Sequence, residues 1–170
     1  TTTGIHGTVA IGYQALTSVT SGTNDAFGYQ ALKNTTTGSQ NTAIGRGVMA
    51  ALTTGSRNVG IGSGAMGSIP ADQAIVNNIA IGNSAMNGSG SSTSSIYNNV
   101  SIGYQSMYAI TTGSNNTIIG NRAGTTITQG YGNVALGSDA LYQVTTGNNN
   151  VSLGSYSLDA LTTTNNMTAV

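Results

Sequence analysis

The sequence predicts an all-β protein: a parallel β-solenoid (β-roll or β-helix) of about ten 17-residue coils, with no helices of note. Three observations predict it. A glycine that closes a small-apolar-Gly phrase recurs at Gly12, Gly28, Gly45, Gly62, Gly82, Gly103, Gly120, Gly137 and Gly154, with spacings of 16, 17, 17, 20, 21, 17, 17 and 17. Apolar residues hold constant offsets from that anchor, and Asn stands four residues before it in eight of ten units.

The period selects the fold. Helical repeats of about 33 to 47 residues must fit two helices, and a unit half that length with an internal Gly phrase cannot. A coil of two or three short strands fits: at roughly 3.3 Å per residue its perimeter is about 56 Å, and ten coils ~4.8 Å apart make a rod roughly 48 Å long.

Each column has its own chemistry. The residue before the anchor is large and apolar, at Ile11, Phe27, Ile44, Ile61, Ile81, Ile102, Ile119, Leu136, Leu153 and Val170; this Ile column is the predicted core. Four after the anchor stand Leu16, Leu32, Met49, Met66, Met86, Met107, Leu141 and Leu158, broken by Gly124. Seven after it stand Val19, Leu52, Ile69, Ile110, Ile127, Val144 and Leu161, with Thr35 and Ser89 as exceptions. The three columns are expected to line one narrow interior.

The Asn column comprises Asn24, Asn41, Asn58, Asn78, Asn99, Asn116, Asn133 and Asn150, with Thr8 and Met167 in its place near the ends. Stacked coils would pile these amides into a hydrogen-bonded ladder. Between Asn and Ile lies a small residue, as at Ala10, Ala26, Ala43, Ala80, Ala135 and Ala169. Strand alternation turns it away from the Ile, where it would allow neighbouring chains to approach closely as a side-by-side trimer.

Composition narrows the function. Only 5% of residues are charged and the net charge is zero, against about 25% in average soluble domains. The clustered Lys and Arg that nucleic-acid binding needs are missing. No apolar run approaches the ~20 residues of a membrane-spanning helix, so neither nucleic acid nor membrane insertion is expected. Cys is absent, which excludes disulfides and thiolate metal sites. The chain reads as one repetitive segment over residues 1–170, with longer, insert-bearing coils at about 63–102. Both ends fall inside repeats without a polar cap, so the sequence predicts a segment of a longer protein, or copies stacking end to end.

The phrases NTAIG, NNVSIG, NVALG and TVAIGYQAL resemble the YadA-like head repeats of trimeric autotransporter adhesins. The longer AIGYQALxxxTTGSxNTAIG pattern resembles repeats of long phage tail-fibre proteins. The adhesin-head repeat is shorter than this one. The resemblance implies a parallel β-roll, a homotrimer and an attachment role outside the cell, on a virion or cell surface.

Catalytic chemistry finds little to work with. The chain has one His, His6, no Glu, and Asp25, Asp72, Asp139 and Asp159 at unrelated repeat positions; a general acid–base pair needs convergent groups. No catalytic, metal or cofactor site is expected, and no enzyme. Tyr13, Tyr29 and Tyr104 each follow an anchor and precede Gln14, Gln30 and Gln105, making a repeated GYQ edge that is the candidate contact for a cell-surface glycan. The inserts near Pro70 and Gly90 are expected to bulge from one side, as solenoid insertions do. Asn34, Asn87, Asn99, Asn115, Asn150 and Asn166 head Asn-x-Ser/Thr sequons and are candidate glycosylation sites.

The expected function is therefore a structural, adhesive fibre segment, the rigid shaft or head of a homotrimer. The alternative is an extracellular filament subunit, glycosylated or bare, that polymerises end to end with copies of itself.

Overall fold

The structure, a computed structural model, describes residues 7–69, 75–89 and 95–170. The inserts predicted at Pro70 and Gly90, together with His6 and Asp72, lie outside the described residues. Among the described residues thirteen short strands follow one another: β1 (Val9–Ile11), β2 (Asn24–Phe27), β3 (Asn41–Ile44), β4 (Val59–Ile61), β5 (Ile75–Val76), β6 (Ile79–Ile81), β7 (Ile96–Tyr97), β8 (Val100–Ile102), β9 (Gly113–Ser114), β10 (Thr117–Ile119), β11 (Val134–Leu136), β12 (Val151–Leu153) and β13 (Thr168–Ala169). Ten of them form one sheet in the order β1-β2-β3-β4-β6-β8-β10-β11-β12-β13, and β5, β7 and β9 form a second.

All pairings are parallel and in repeat register. Ile44 lies beside Ile61, Ile61 beside Ile81, and Ile102 beside Ile119. The chain is a β-solenoid in which each coil adds one rung.

The anchor glycine makes the corner possible for two reasons. At Gly12, Gly28, Gly45, Gly62, Gly82, Gly103, Gly120, Gly137 and Gly154 φ lies between 114° and 147°, a region L side chains rarely enter. Successive anchors also stack backbone on backbone, so a Cβ on one would meet the carbonyl of the next. After the anchor come two turns. In the coil of Gly28 the Ala31 N–H donates to the Gly28 carbonyl at 3.3 Å, and the Thr35 N–H to the Leu32 carbonyl at 3.2 Å.

Between those turns the Leu/Met column adopts a left-handed backbone, from φ 47° at Met107 to 53° at Met66 and Leu141. This conformation aims the side chain inward: Leu32, Met49, Met66, Met86, Met107 and Leu141 are fully buried. It also explains why the column holds Leu, Met and Gly but never Ile or Val, since β-branched residues tolerate positive φ worst. The next column, at ordinary φ, accepts Ile69, Ile110, Ile127 and Val144.

The predicted core needs one correction. The Ile column is not buried: Ile11 is 58% exposed, Ile44 41%, Leu136 53% and Phe27 37%. Ile61, Ile81, Ile102, Ile119 and Leu153 are half-buried, all on the outer face of the ten-stranded sheet. The Ala column faces in instead, with Ala26, Ala43, Ala80 and Ala135 buried. The reason is space. The sheet lies so close to the Leu/Met wall that a Cβ on Gly60, which replaces Ala in this column, would stand 2.6 Å from Val48 Cγ1 and 2.8 Å from Met49 Cε. Where Leu or Met stands opposite, only a small residue fits there, and the close approach it permits is between two walls of one coil, not between chains.

Core volume is conserved by exchange between columns. Where Gly124 interrupts the Leu/Met column, Ile118 fills the Ala column and is fully buried; a Cβ on Gly124 would lie 3.2 Å from Ile118 Cγ2. The longer coils obey the same rule. Ile75 and Ile96, both fully buried, occupy the inward position that Gly38, Gly55, Gly113, Gly130 and Gly147 hold in the other coils.

We expect Ile118→Ala alone to cost about 3 kcal/mol through a cavity and Gly124→Leu alone about 1–3 kcal/mol through overpacking. The double variant restores the pattern of the other coils, so chemical denaturation should show a coupling above ~2 kcal/mol. Additive losses would refute the exchange.

Candidate interaction surface

The Asn column runs up the inside corner of the coil, and all eight residues from Asn24 to Asn150 are at most 2% exposed. Asn41 illustrates the bonding. Its amide donates to Asn24 Oδ1 at 2.9 Å and to the Gly55 carbonyl at 2.7 Å, while its Oδ1 accepts from the Asn58 backbone N–H and Asn58 Nδ2, each at 3.0 Å. Two donors and two lone pairs are thereby satisfied, and each amide ties its coil to the coils on either side. Thr8 does a similar job at the start: its hydroxyl accepts from the Asn24 N–H at 3.3 Å and donates to the Gly22 carbonyl at 3.4 Å. At the other end the Met167 N–H donates to Asn150 Oδ1 at 3.0 Å.

Burial in this ladder removes two of the glycosylation candidates. Asn99 and Asn150 are fully buried with both amide hydrogens engaged, so a glycan on Nδ2 would break the ladder. Asn34, Asn115 and Asn166 are exposed and Asn87 is half-buried.

The GYQ residues divide into two places. Tyr13 and Tyr29 stack with centroids 5.4 Å apart and planes at 19°, and Gln30 Nε2 donates to Gln14 Oε1 at 2.8 Å. Arg46, one rung on, sets its guanidinium 5.7 Å from the Tyr29 centroid. Tyr29 is thus sandwiched and offers a ligand its edge, not a ring face, which stacking on a sugar would require. Tyr104 and Gln105 lie three rungs beyond Arg46, with Ser63 and Asn83 intervening in the column. The six residues do not form one site.

Ionisable groups are dispersed. Asp139 is 4% exposed and pairs with Arg122, Oδ1 to Nη2 2.8 Å, while the same guanidinium lies 5.2 Å from the Tyr142 ring centroid. A surface depression of about 160 Å³ beside Asp25 is lined by Gly7, Thr23, Asn24, Gln40, Asn41 and Thr42, and Asp25 is its only carboxylate. Among the described residues no three His, Cys, Asp or Glu side chains gather as metal ligands would, and no helix is long and apolar enough to cross a membrane.

What remains is the outer face of the ten-stranded sheet. Beside the exposed Ile column runs a second outward column, two residues earlier, containing Val9, Val59, Ile79, Val100, Val134 and Val151 among Asp25, Thr42, Thr117 and Thr168. Val9, Ile79 and Val134 are 37–40% exposed. Asp25 is the one charge in these two columns. An apolar strip ten rungs long is more than scattered surface hydrophobics explain, and such patches mark interaction sites. No family model, curated protein or solved structure matches the chain.

Proposed function

We propose that the chain is a non-catalytic structural segment, the rigid shaft or head of an extracellular fibre or adhesin, and that three copies pack through the outer face of the ten-stranded sheet. The observation that carries this reading is the outward-facing Ile column from Ile11 to Leu153, exposed or half-buried along its length. Eight rung steps of ~4.8 Å make it roughly 38 Å long. Two columns about 7 Å apart over that length supply the apolar centre of an interface, and the rows flanking them make up the rest of the ~800 Å² per partner of a specific contact. A surface this apolar and nearly free of charge gains most by facing another like itself, and a rod of identical rung spacing can interlock with it at every step. The resemblance to adhesin-head and tail-fibre repeats points the same way, towards a homotrimer outside the cell.

Sedimentation equilibrium tests it. A trimer whose mass does not change with concentration is the expected result. Ile61→Lys with Ile102→Lys should yield a monomer with an unchanged far-ultraviolet spectrum. A monomeric wild type overturns the reading, and filaments that lengthen with concentration replace it with end-to-end polymerisation.

A further inference from the structure

The second sheet carries a different surface, around a corner from the apolar strip. Tyr97 and Tyr131 are 42% and 51% exposed, and they share one column: Tyr97 pairs with Ser114, and Ser114 bridges to Tyr131. The two rings are therefore two rungs apart, ~9.6 Å along the axis, with only a serine between them. Unlike Tyr29, neither ring is stacked on another ring or beneath a guanidinium among the described residues.

A line of exposed amides runs alongside. Arg57 Nε donates to Asn77 Oδ1 at 2.8 Å, Asn77 Nδ2 to Asn98 Oδ1 at 3.2 Å, Asn98 Nδ2 to Asn115 Oδ1 at 3.4 Å, and Asn115 Nδ2 to Ser114 Oγ at 3.3 Å. Asn98 and Asn115 each spend one amide hydrogen in this chain and keep a second for a ligand. Both hold a left-handed backbone, φ 57° and 59°, which fixes the amides on the outside of the corner.

We propose that this face binds an extended β-1,4-linked polysaccharide lying along the solenoid axis. Such a chain is nearly flat and two-fold, so alternate sugars present the same face at an interval close to the two-rung separation of Tyr97 and Tyr131. Sugar C–H faces stack on the two rings, and the small Ser114 leaves room for the sugar between. Asn98 and Asn115, at one-rung spacing, each meet the hydroxyls of a successive sugar. The site lies away from the apolar strip and does not depend on how copies assemble.

Calorimetric titration of the full chain with the hexasaccharides of β-1,4-linked glucose and of β-1,4-linked N-acetylglucosamine tests this. Binding to at least one is expected, and which one reports the sugar. Tyr97→Ala or Tyr131→Ala should each weaken it roughly tenfold with the circular dichroism unchanged, and Ser114→Trp should abolish it. The disaccharide, too short to cover both rings, should bind wild type and either single variant alike. Tyr13→Ala should change nothing. No binding of either hexasaccharide, equal binding of an α-1,4-linked glucose hexasaccharide, or affinity indifferent to both tyrosines would overturn the proposal. None of these outcomes bears on the trimer, which sedimentation reads separately.

Discussion

Asn116→Asp should destabilise the solenoid by about 4 kcal/mol or more at neutral pH, although it exchanges one amide for an isosteric carboxylate. Asn116 is fully buried, and its Nδ2 donates to Asn99 Oδ1 and to the Gly130 carbonyl, each at 2.9 Å. A carboxylate has no donor, so three oxygens would face one another. Its other oxygen could still accept from the Asn133 backbone N–H and Nδ2, both at 3.0 Å, which does not offset a buried, unpaired charge. Burial raises the pKa of such a group in the fold above its unfolded value of about 3.9. The penalty is therefore smallest below the unfolded value, where the group is neutral in both states, and grows as pH rises through the folded value. Guanidinium denaturation at about pH 3 and about pH 7 should show the gap widening with pH. Asn98→Asp in the exposed amide line is the control and should cost less than ~0.5 kcal/mol. Equal losses at the two positions would mean that the inner ladder does not hold the coils together.

The contrast between those two columns marks how far the sequence was legible. Period, parallel stacking and the position of the Asn column follow from spacing alone, because a solenoid repeats its chemistry each time it repeats its geometry. The side on which the Ile column falls was also encoded, but indirectly. Asn41 and Ile44 are three residues apart on one strand, and strand alternation puts them on opposite faces. An inner amide ladder and an inner Ile column are incompatible, and the buried Asn decides which one is inside. Hydrophobicity argued for Ile, but hydrophobicity alone does not distinguish a core from an interface.

Other features were hidden for different physical reasons. The left-handed backbone of the Leu/Met column leaves only a negative trace, the absence of Ile and Val. Ile75 and Ile96 sit where other coils have Gly, so no consensus apolar column includes them; they matter because a longer coil has more interior to fill. Tyr97 and Tyr131 occupy the same place in their repeats, but Ser114 between them breaks the visible pattern. Asn99 and Asn150 satisfy a sequon by composition alone, and burial withdraws them.

Gly120→Ala should be the most damaging single-methyl change, costing more than ~4 kcal/mol. Two penalties act at once. Gly120 sits at φ 147°, which alanine resists, and the new Cβ would fall on the Gly137 carbonyl, 2.6 Å from its carbon. Neither neighbour can yield, because the Gly137 N–H donates to the Ile119 carbonyl at 2.9 Å and so fixes the rung spacing. Gly47→Ala provides the comparison: φ is 65° and nothing lies within 4 Å of the added carbon, leaving only a left-handed cost of about 1–2 kcal/mol. Paired denaturation curves should separate the variants by several kcal/mol, and near-equal midpoints would show that backbone contact between anchors does not set the spacing. The consequence reaches the outer face. Ile119 and Leu136 immediately precede Gly120 and Gly137 and stand side by side in the sheet. A coil pushed off its neighbour at this corner therefore breaks the Ile column there, and sedimentation should show Gly120→Ala weakening self-association even under conditions where most of the chain remains folded.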